Sequence, residues 1–310
     1  MNVRFVLDEP VGFPRRFIYA SRNMMNFDIE LLSPALGAEI TRLDLRNNLD
    51  ADTVRELRTA WLDNLVLLFR GQDLGEADEV RFAGYFGEPF TNNRVQDFSE
   101  TEERSPYVLP ITNIRKNGKP IGVLPDGELQ FHSDSAFHEL PLMATVLYAI
   151  ELPSHGGNTL FSNMYRAYDA LDPAEQDKLA QYQAVNAYDY GTMIRTGRYN
   201  RDTSIHATHP VIRTHPETGR KCLFVNPGNT SHLVGLHPQE SALLLDFLYQ
   251  HCTRPEFIFR HHWSRGDLVI WDNRCTMHYA LADYEEERYM HRTTVIGERP
   301  VGARRTADEG

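Results

Sequence analysis

Two side chains able to bind a divalent metal stand two residues apart in Leu129-Gln130-Phe131-His132-Ser133-Asp134-Ser135. If the run is extended, residues i and i+2 project to the same side, so the imidazole of His132 and the carboxylate of Asp134 emerge together. A second histidine would complete a 2-His-1-carboxylate triad, the set that holds Fe(II) on one face and leaves other positions open. An HxD pair alone says little, because the chain has 13 histidines and His215-Pro216-Glu217 supplies an HxE pair as well. Pro216 and Gly219 make that second pair a turn between strands, so it is read as structural. The first pair gains weight from Gly266 to Tyr279, where the apolar run Leu268-Val269-Ile270-Trp271 leads through Asp272-Asn273-Arg274 to His278. Arg288 and Arg292 follow, four residues apart. On a strand that spacing puts both guanidiniums on one face. A guanidinium grips a carboxylate through two parallel bonds and keeps its charge, which suits a dicarboxylate ligand. The plainer alternative is a surface salt bridge to Glu285, Glu286 or Glu287.

The elements that must position these groups are mostly short β-type runs. From Leu129 onward they are Leu142 to Ile150, Thr159 to Ser162, Val211 to Thr214, Cys222 to Asn226, Phe257 to Trp263, Leu268 to Trp271 and Thr293 to Ile296, separated by turn signals. Ahead of them, Phe27, Ile29 and Leu31 alternate as a strand, and Asp50 and Asp52 offer caps to a helix with Val54, Leu57, Ala60 and Trp61 on one face. Leu65 to Phe69 reads as a buried strand and Glu76 to Tyr85 as a second helix. The stretch from Glu88 to Gly127, rich in Asn, Pro, Gly and charge, is predicted to form long loops. A further helix opens at Pro238 and places Leu244, Phe247, Leu248 and His251 together. The predicted fold is mainly β with surrounding helices, around a double-stranded β-helix (jelly-roll, cupin-like) core. One domain spans residues 26–310, preceded by an extension over residues 1–25 that lacks the apolar core of a secretory signal.

Composition narrows the partners. The 310 residues are 41% hydrophobic and 24% charged, with a formal net charge of −11. An acidic chain is a poor match for nucleic acid, whose phosphates want a basic face. No apolar run approaches the roughly 18 residues a membrane helix needs. Cys222, Cys252 and Cys275 form an odd set without CxxC spacing, which points to a reducing cytoplasm.

Phe131 to Ser162, Arg213 to Asn226 and Trp271 to Pro300 resemble the TauD/TfdA family of Fe(II)- and 2-oxoglutarate-dependent dioxygenases. The family pattern is HxD, a Thr or Ser about 25 residues on, a distant His, and an Arg shortly after. Thr159 stands 25 residues beyond Asp134, in Gly156-Gly157-Asn158-Thr159. The resemblance implies that His132, Asp134 and His278 hold Fe(II), that Thr159 and Arg288 bind 2-oxoglutarate, and that Arg292 sits nearer the substrate. Arg288 follows His278 at one residue less than in taurine dioxygenase, so the two arginine roles could be exchanged. O₂ would be the other co-substrate. The expected reaction oxidises a C–H bond of a small anionic molecule and yields succinate and CO₂. The outcome is hydroxylation, with C–S or C–O cleavage where the carbon bears a heteroatom, or desaturation. The family also implies a homo-oligomer, a dimer or a tetramer. Three substrate-side positions depart from taurine dioxygenase: Asn92 replaces a histidine, Phe131 replaces a tryptophan, and Asn229 stands where an aromatic residue is expected. Two other classes use parts of the pattern. A zinc hydrolase could take the same three ligands with one open site, which leaves Thr159 and the arginines unexplained. A non-catalytic jelly-roll binding protein could carry them as a vestige.

Overall fold

The side chain of Asp50 accepts a hydrogen bond from the Thr53 N–H at 2.7 Å and so starts helix α1 (Ala51–Asn64). The computed structural model describes residues 26–92, 95, 105–123, 130–188 and 205–302. The predicted extension over residues 1–25 lies outside them, as does part of the predicted loop stretch. Leu57, Ala60 and Trp61 are buried on α1 as the spacing predicts, but Thr53 is buried where Val54 was expected. Its hydroxyl accepts from the Asn26 side chain at 2.8 Å, and that bond offsets the cost of its burial. Helix α2 (Glu76–Gly84) follows the strand that α1 leads into.

The principal sheet has seven strands in the order β1 (Asp28–Leu31), β2 (Ala38–Thr41), β3 (Val66–Phe69), β15 (Leu268–Asp272), β7 (Ala144–Glu151), β17 (Tyr289–Val295) and β4 (Leu109–Thr112). Its pairs are antiparallel except β2 with β3. β3 and β15 are buried along their whole length. That explains their unbroken apolar runs, since a strand covered on both faces has no polar side to alternate with. Leu67, Phe69, Val146, Tyr148, Leu268 and Ile270 share one face and pack with Trp61, Phe82 and Phe86 of the α1–α2 side. Val66, Leu68, Leu147, Val269 and Trp271 share the other. Each large apolar side chain buried here contributes about 1.5–3 kcal/mol.

That second face meets a three-stranded antiparallel sheet of β14 (Ile258–His261), β8 (Thr159–Asn163) and β16 (Thr276–Ala280), in that order. Phe161 of β8 and Trp271 of β15 bridge the gap, their ring centres 5.4 Å apart. Two further three-stranded sheets complete this side: β10 (His206–Pro210), β9 (Gln183–Ala187) and β13 (Thr230–Leu233), then β12 (Lys221–Leu223), β11 (Ile212–Thr214) and β18 (Val301–Gly302). Helices α3 (Met164–Asp169), α4 (Pro173–Leu179) and α5 (Pro238–Cys252) complete the described α-helices. The fold is mainly β. None of the described helices is long and apolar enough to cross a membrane, and all three cysteines are free and buried.

Two expectations need correction. The stretch from Glu88 to Gly127 is not all loop: it supplies β4 and the small hairpin of β5 (Arg115–Lys116) and β6 (Lys119–Pro120). β4 is the last strand of its sheet, where Pro110 is tolerated because an edge position can do without one N–H. The buried face of α5 carries Ser241, Leu245, Leu248, His251 and Cys252, while Phe247 is 42% exposed. Three consecutive leucines, 243 to 245, left the phase of that helix undetermined by spacing.

Candidate active site

His132 does not lie in a strand. Its N–H donates to the His278 carbonyl at 3.0 Å and its carbonyl accepts from the His278 N–H at 2.8 Å, a single antiparallel bridge. The chain then turns. The Ser133 hydroxyl donates to the Thr276 carbonyl at 2.7 Å, and Ser135 takes a φ of +58°. The expected alternation within an extended HxD run is thus replaced by a bridge that sets the two histidines opposite each other, their ring centres 4.2 Å apart and their planes tilted by 48°. Asp134 curls back to join them. Its Oδ1 lies 3.7 Å from His132 Nε2 and its Oδ2 3.9 Å from His278 Nε2. One ligand atom from each of the three lies within 4.8 Å of the others. These separations are too long for hydrogen bonds and suit donors sharing a metal ion.

The protonation states also suit a metal. His132 Nδ1 is 2.8 Å from the Gln130 carbonyl, an acceptor, so that nitrogen carries the proton and Nε2 presents its lone pair. Burial, with His132 beside it, lowers the His278 pKa to about 3 and keeps the ring neutral. Burial would raise the Asp134 carboxyl, but His278, Arg292, His132 and the Thr145 hydroxyl together bring it to about 2. The neutral His278 ring, the His132 ring with its Nε2 turned to the site and an ionised carboxylate make a donor set that Fe(II) takes.

The two arginines stand differently. Arg292 is within β17, its Nη1 3.8 Å from Asp134 Oδ1. Arg288 lies one residue ahead of that strand and is 3% exposed. Its Nε has no hydrogen-bond partner, and among the described residues it forms no ion pair, with Glu285, Glu286 or Glu287 or with any other carboxylate. The Tyr284 ring is its neighbour at 5.8 Å, and burial lowers its pKa. A buried guanidinium without a counter-ion is costly and calls for an anionic ligand. Thr159 is buried on β8, opposite Ala280, while Phe161 stands opposite His278. Directly opposed residues share a face, so Thr159 is on the face of His278. Its hydroxyl accepts from Trp263 Nε1 at 3.0 Å and keeps its own proton to donate.

Of the three substrate-side candidates, two adjoin the first histidine. The Phe131 ring lies 5.4 Å from Tyr279, and its carbonyl accepts from the Gly228 N–H at 3.0 Å. Gly228 lies so close that a Cβ there would fall 2.8 Å from His132 Cβ. Next to it Asn229 is buried, its N–H donating to Asn226 Oδ1 at 2.8 Å and its own Oδ1 unpartnered. Asn92 is half-buried and its backbone bonds run to Pro106 and Val95, within its own segment.

The HxE pair is structural. His215 Nδ1 accepts from the N–H groups of Glu217 and Thr218, and Nε2 donates to Asp272 Oδ2 at 3.0 Å. Glu217 pairs with Arg58 and Arg274. His215, Asp272 and Cys275 also approach one another closely, but Arg274 already binds both Asp272 oxygens, at 2.8 and 2.7 Å. Sequence reasoning missed Thr145, whose hydroxyl donates to Asp134 Oδ2 at 2.6 Å. The available signal was a small polar residue inside the apolar run from Leu142 to Ile150.

The chain is similar to known proteins over most of its length. Residues 28–294 match the family described as taurine catabolism dioxygenase TauD, TfdA family. The chain is 33% identical over 285 residues to an alkylsulfatase of Acinetobacter baylyi, covering 88% of this chain and 86% of that one. It is 33% identical over 283 residues to an alpha-ketoglutarate-dependent 2,4-dichlorophenoxyacetate dioxygenase of Cupriavidus pinatubonensis, covering 87% and 98%. The crystal structure of a taurine dioxygenase from Burkholderia xenovorans superposes with a TM-score of 0.75 at 31% identity, over 89% of this chain and 91% of that one.

Proposed function

Because the chain belongs to the TauD/TfdA family, we propose that it is an Fe(II)- and 2-oxoglutarate-dependent dioxygenase oxidising a C–H bond of a small anionic organic substrate. The observation that carries this reading is the convergence of His132, Asp134 and His278 with Arg292 beside them, on a chain whose Arg288 is buried without a counter-ion among the described residues. Fe(II) held there supplies the O₂ chemistry that turns 2-oxoglutarate into succinate and CO₂ and oxidises the substrate.

The chain's own groups bind, orient and exclude water. His132 and His278 offer ring nitrogens, and Asp134 offers the negative charge. Arg288 grips a carboxylate of 2-oxoglutarate, which removes the penalty of its unpaired burial, and Thr159 donates its free proton to the same group. Arg292, beside Asp134 and 30% exposed at its side chain, takes the anionic group of the substrate. Phe131, Asn229 and Asn92 belong to the substrate side. Relatives named for sulfate esters and for a phenoxyacetate support an anionic substrate. The facing sheets support reading the core as a double-stranded β-helix within one domain over residues 26–310. Three buried free thiols fit a cytoplasmic protein, and we extend the family's homo-oligomeric habit to this chain.

The test is succinate formation. Purified protein with Fe(II), O₂ and 2-oxoglutarate is assayed against sulfate esters, sulfonates, aryloxy acids and aliphatic carboxylates. At least one class is expected to stimulate succinate release. No stimulation across the panel, together with no 2-oxoglutarate binding to the metal-loaded protein, would overturn the reading.

A further inference from the structure

Behind Asp134 runs a line of buried hydrogen bonds through Thr145, Asn273 and Trp271, and we infer that this line is a positioning device that decides which carboxylate oxygen meets the metal. The inference rests on the assignment of His132, Asp134 and His278 as the metal site.

Every direction along the line is forced. Trp271 Nε1 can only donate, and it does so to Asn273 Oδ1 at 2.9 Å. That fixes the Asn273 amide with its oxygen toward the indole and its nitrogen away. The nitrogen, Nδ2, donates to Thr145 Oγ1 at 2.9 Å. A hydroxyl that accepts there has its single proton free for the next partner, Asp134 Oδ2 at 2.6 Å. The line begins at a group that can only donate and ends at a carboxylate that can only accept, so it has one proton arrangement. Asn273 Oδ1 also lies 3.4 Å from the Asp134 N–H, tying backbone and side chain of the ligand to one residue.

The framework is as rigid as the fold provides. Thr145 and Trp271 stand directly opposite each other on β7 and β15, at the centre of the seven-stranded sheet. The Asn273 N–H continues that pairing by donating to the Met143 carbonyl at 2.9 Å. All four residues are buried, none more than 6% exposed. The Trp271 ring also packs against His278, centre to centre 4.7 Å. One indole therefore orients two of the three ligands, His278 by contact and Asp134 through the line.

The consequence lies in how the two Asp134 oxygens are divided. Oδ2 carries a short, charge-assisted bond from Thr145, which draws on its lone pairs and pins the carboxylate rotation. Oδ1 takes no hydrogen bond among the described residues and faces His132 and Arg292. Oδ2 also lies 3.9 Å from His278 Nε2, but its Thr145 bond makes Oδ1 the freer oxygen, the one through which Asp134 would serve. With Asp134 bound through one oxygen, an Fe(II) ion held there would keep room for a 2-oxo acid and O₂.

The probe is Co(II) without O₂ or 2-oxoglutarate, added to the full chain and followed by its visible absorption and by calorimetry. Thr145→Val keeps the shape and removes the hydroxyl, and Thr145→Ser restores it. We expect Thr145→Val to weaken Co(II) affinity about 10–100-fold and to change the absorption spectrum, as losing a group behind a metal ligand does. Thr145→Ser should return both toward wild type. Trp271→Phe, which keeps a ring against His278 but lacks the N–H, should shift affinity in the same direction by less. A residue that only supports the fold would lower the melting temperature of Thr145→Val without altering the spectrum. Wild-type affinity and spectrum in Thr145→Val, or equal losses in the Val and Ser variants, would overturn the inference and leave the metal site standing. If Thr145→Val does not fold, Trp271→Phe decides: unchanged affinity and spectrum in it overturn the inference. If wild-type protein binds no Co(II), the metal-site assignment falls and the inference falls with it.

Discussion

At the residue scale, the three ligand atoms meet only because each side chain is held by a second bond or by burial. His132→Ala, Asp134→Ala and His278→Ala should each abolish succinate formation and weaken Fe(II) binding, since losing one ligand opens the ion to water. Metal titration beside the succinate assay checks this, and near-normal activity in any two would break the triad assignment. His215→Ala is the contrast: it spares Fe(II) binding but costs about 1–3 kcal/mol in a thermal melt, because His215 is buried and bonded to Asp272. The arginines separate by kinetics. Arg288→Ala should raise the KM for 2-oxoglutarate roughly ten- to a hundredfold, the loss of a charge-assisted contact worth about 1.5–3 kcal/mol. Arg292→Ala should act on the KM of the substrate, and the reverse pattern would mean that the two roles are exchanged. Taurine should be turned over poorly, because a buried sulfonate needs several donors and Asn92 is neutral, with its backbone bonds running to Pro106 and Val95. Sulfite release measured with taurine against aryloxy acids and alkyl sulfates decides that point.

At the element scale, the segment from Asn226 to Asn229 is pressed against the bridge that carries His132. Gly228 has no side chain where a Cβ would meet His132 Cβ at 2.8 Å and the Phe131 carbonyl at 3.2 Å. Gly228→Ala must push one of the two segments away. A shift of that kind costs about 1–3 kcal/mol, and here it also displaces a ligand. The expected result is weaker metal binding together with a lower melting temperature. Normal Co(II) affinity in this variant would show that the loop gives way and the bridge does not. Asp50→Ala is the control on a distant element: it should lower the melting temperature modestly through the lost α1 cap and leave every kinetic constant unchanged.

For the whole molecule, the site's electrostatics tie stability to pH. In the metal-free protein His278 is depressed from 6.5 to about 3 by burial, and burial also lowers His209 and His261. A depressed histidine binds fewer protons folded than unfolded. Its stabilising contribution is therefore complete above about pH 6.5 and declines as pH falls toward the folded value. Asp134, lowered from 3.8 to about 2, adds a contribution that is lost only below about pH 4. The melting temperature of the metal-free protein should accordingly begin to fall near pH 6.5. A melting temperature constant from pH 7 to pH 4.5 would contradict the buried neutral state of His278.

The amino-acid sequence by itself determined the candidates and most of the elements. HxD, the distant histidine, Thr159 and the paired arginines could be read because residue type and spacing persist whatever the fold. The cap at Asp50 and the unbroken apolar runs of β3 and β15 are local signals of the same kind. The tertiary structure decided how those residues meet. His132 reaches His278 through one bridge between distant segments, and no period within Phe131-His132-Ser133-Asp134 announces it. Thr145 looks like an ordinary strand residue until β7 and β15 align it with Trp271 and Asn273. The phase of α5, which three adjacent leucines left open, and the strand containing Pro110 were likewise settled by what lay across from them. Side-chain period encodes which face a residue takes, but hydrogen-bond partners are fixed by the register between strands far apart in the chain, and that register exists only once the sheets have formed.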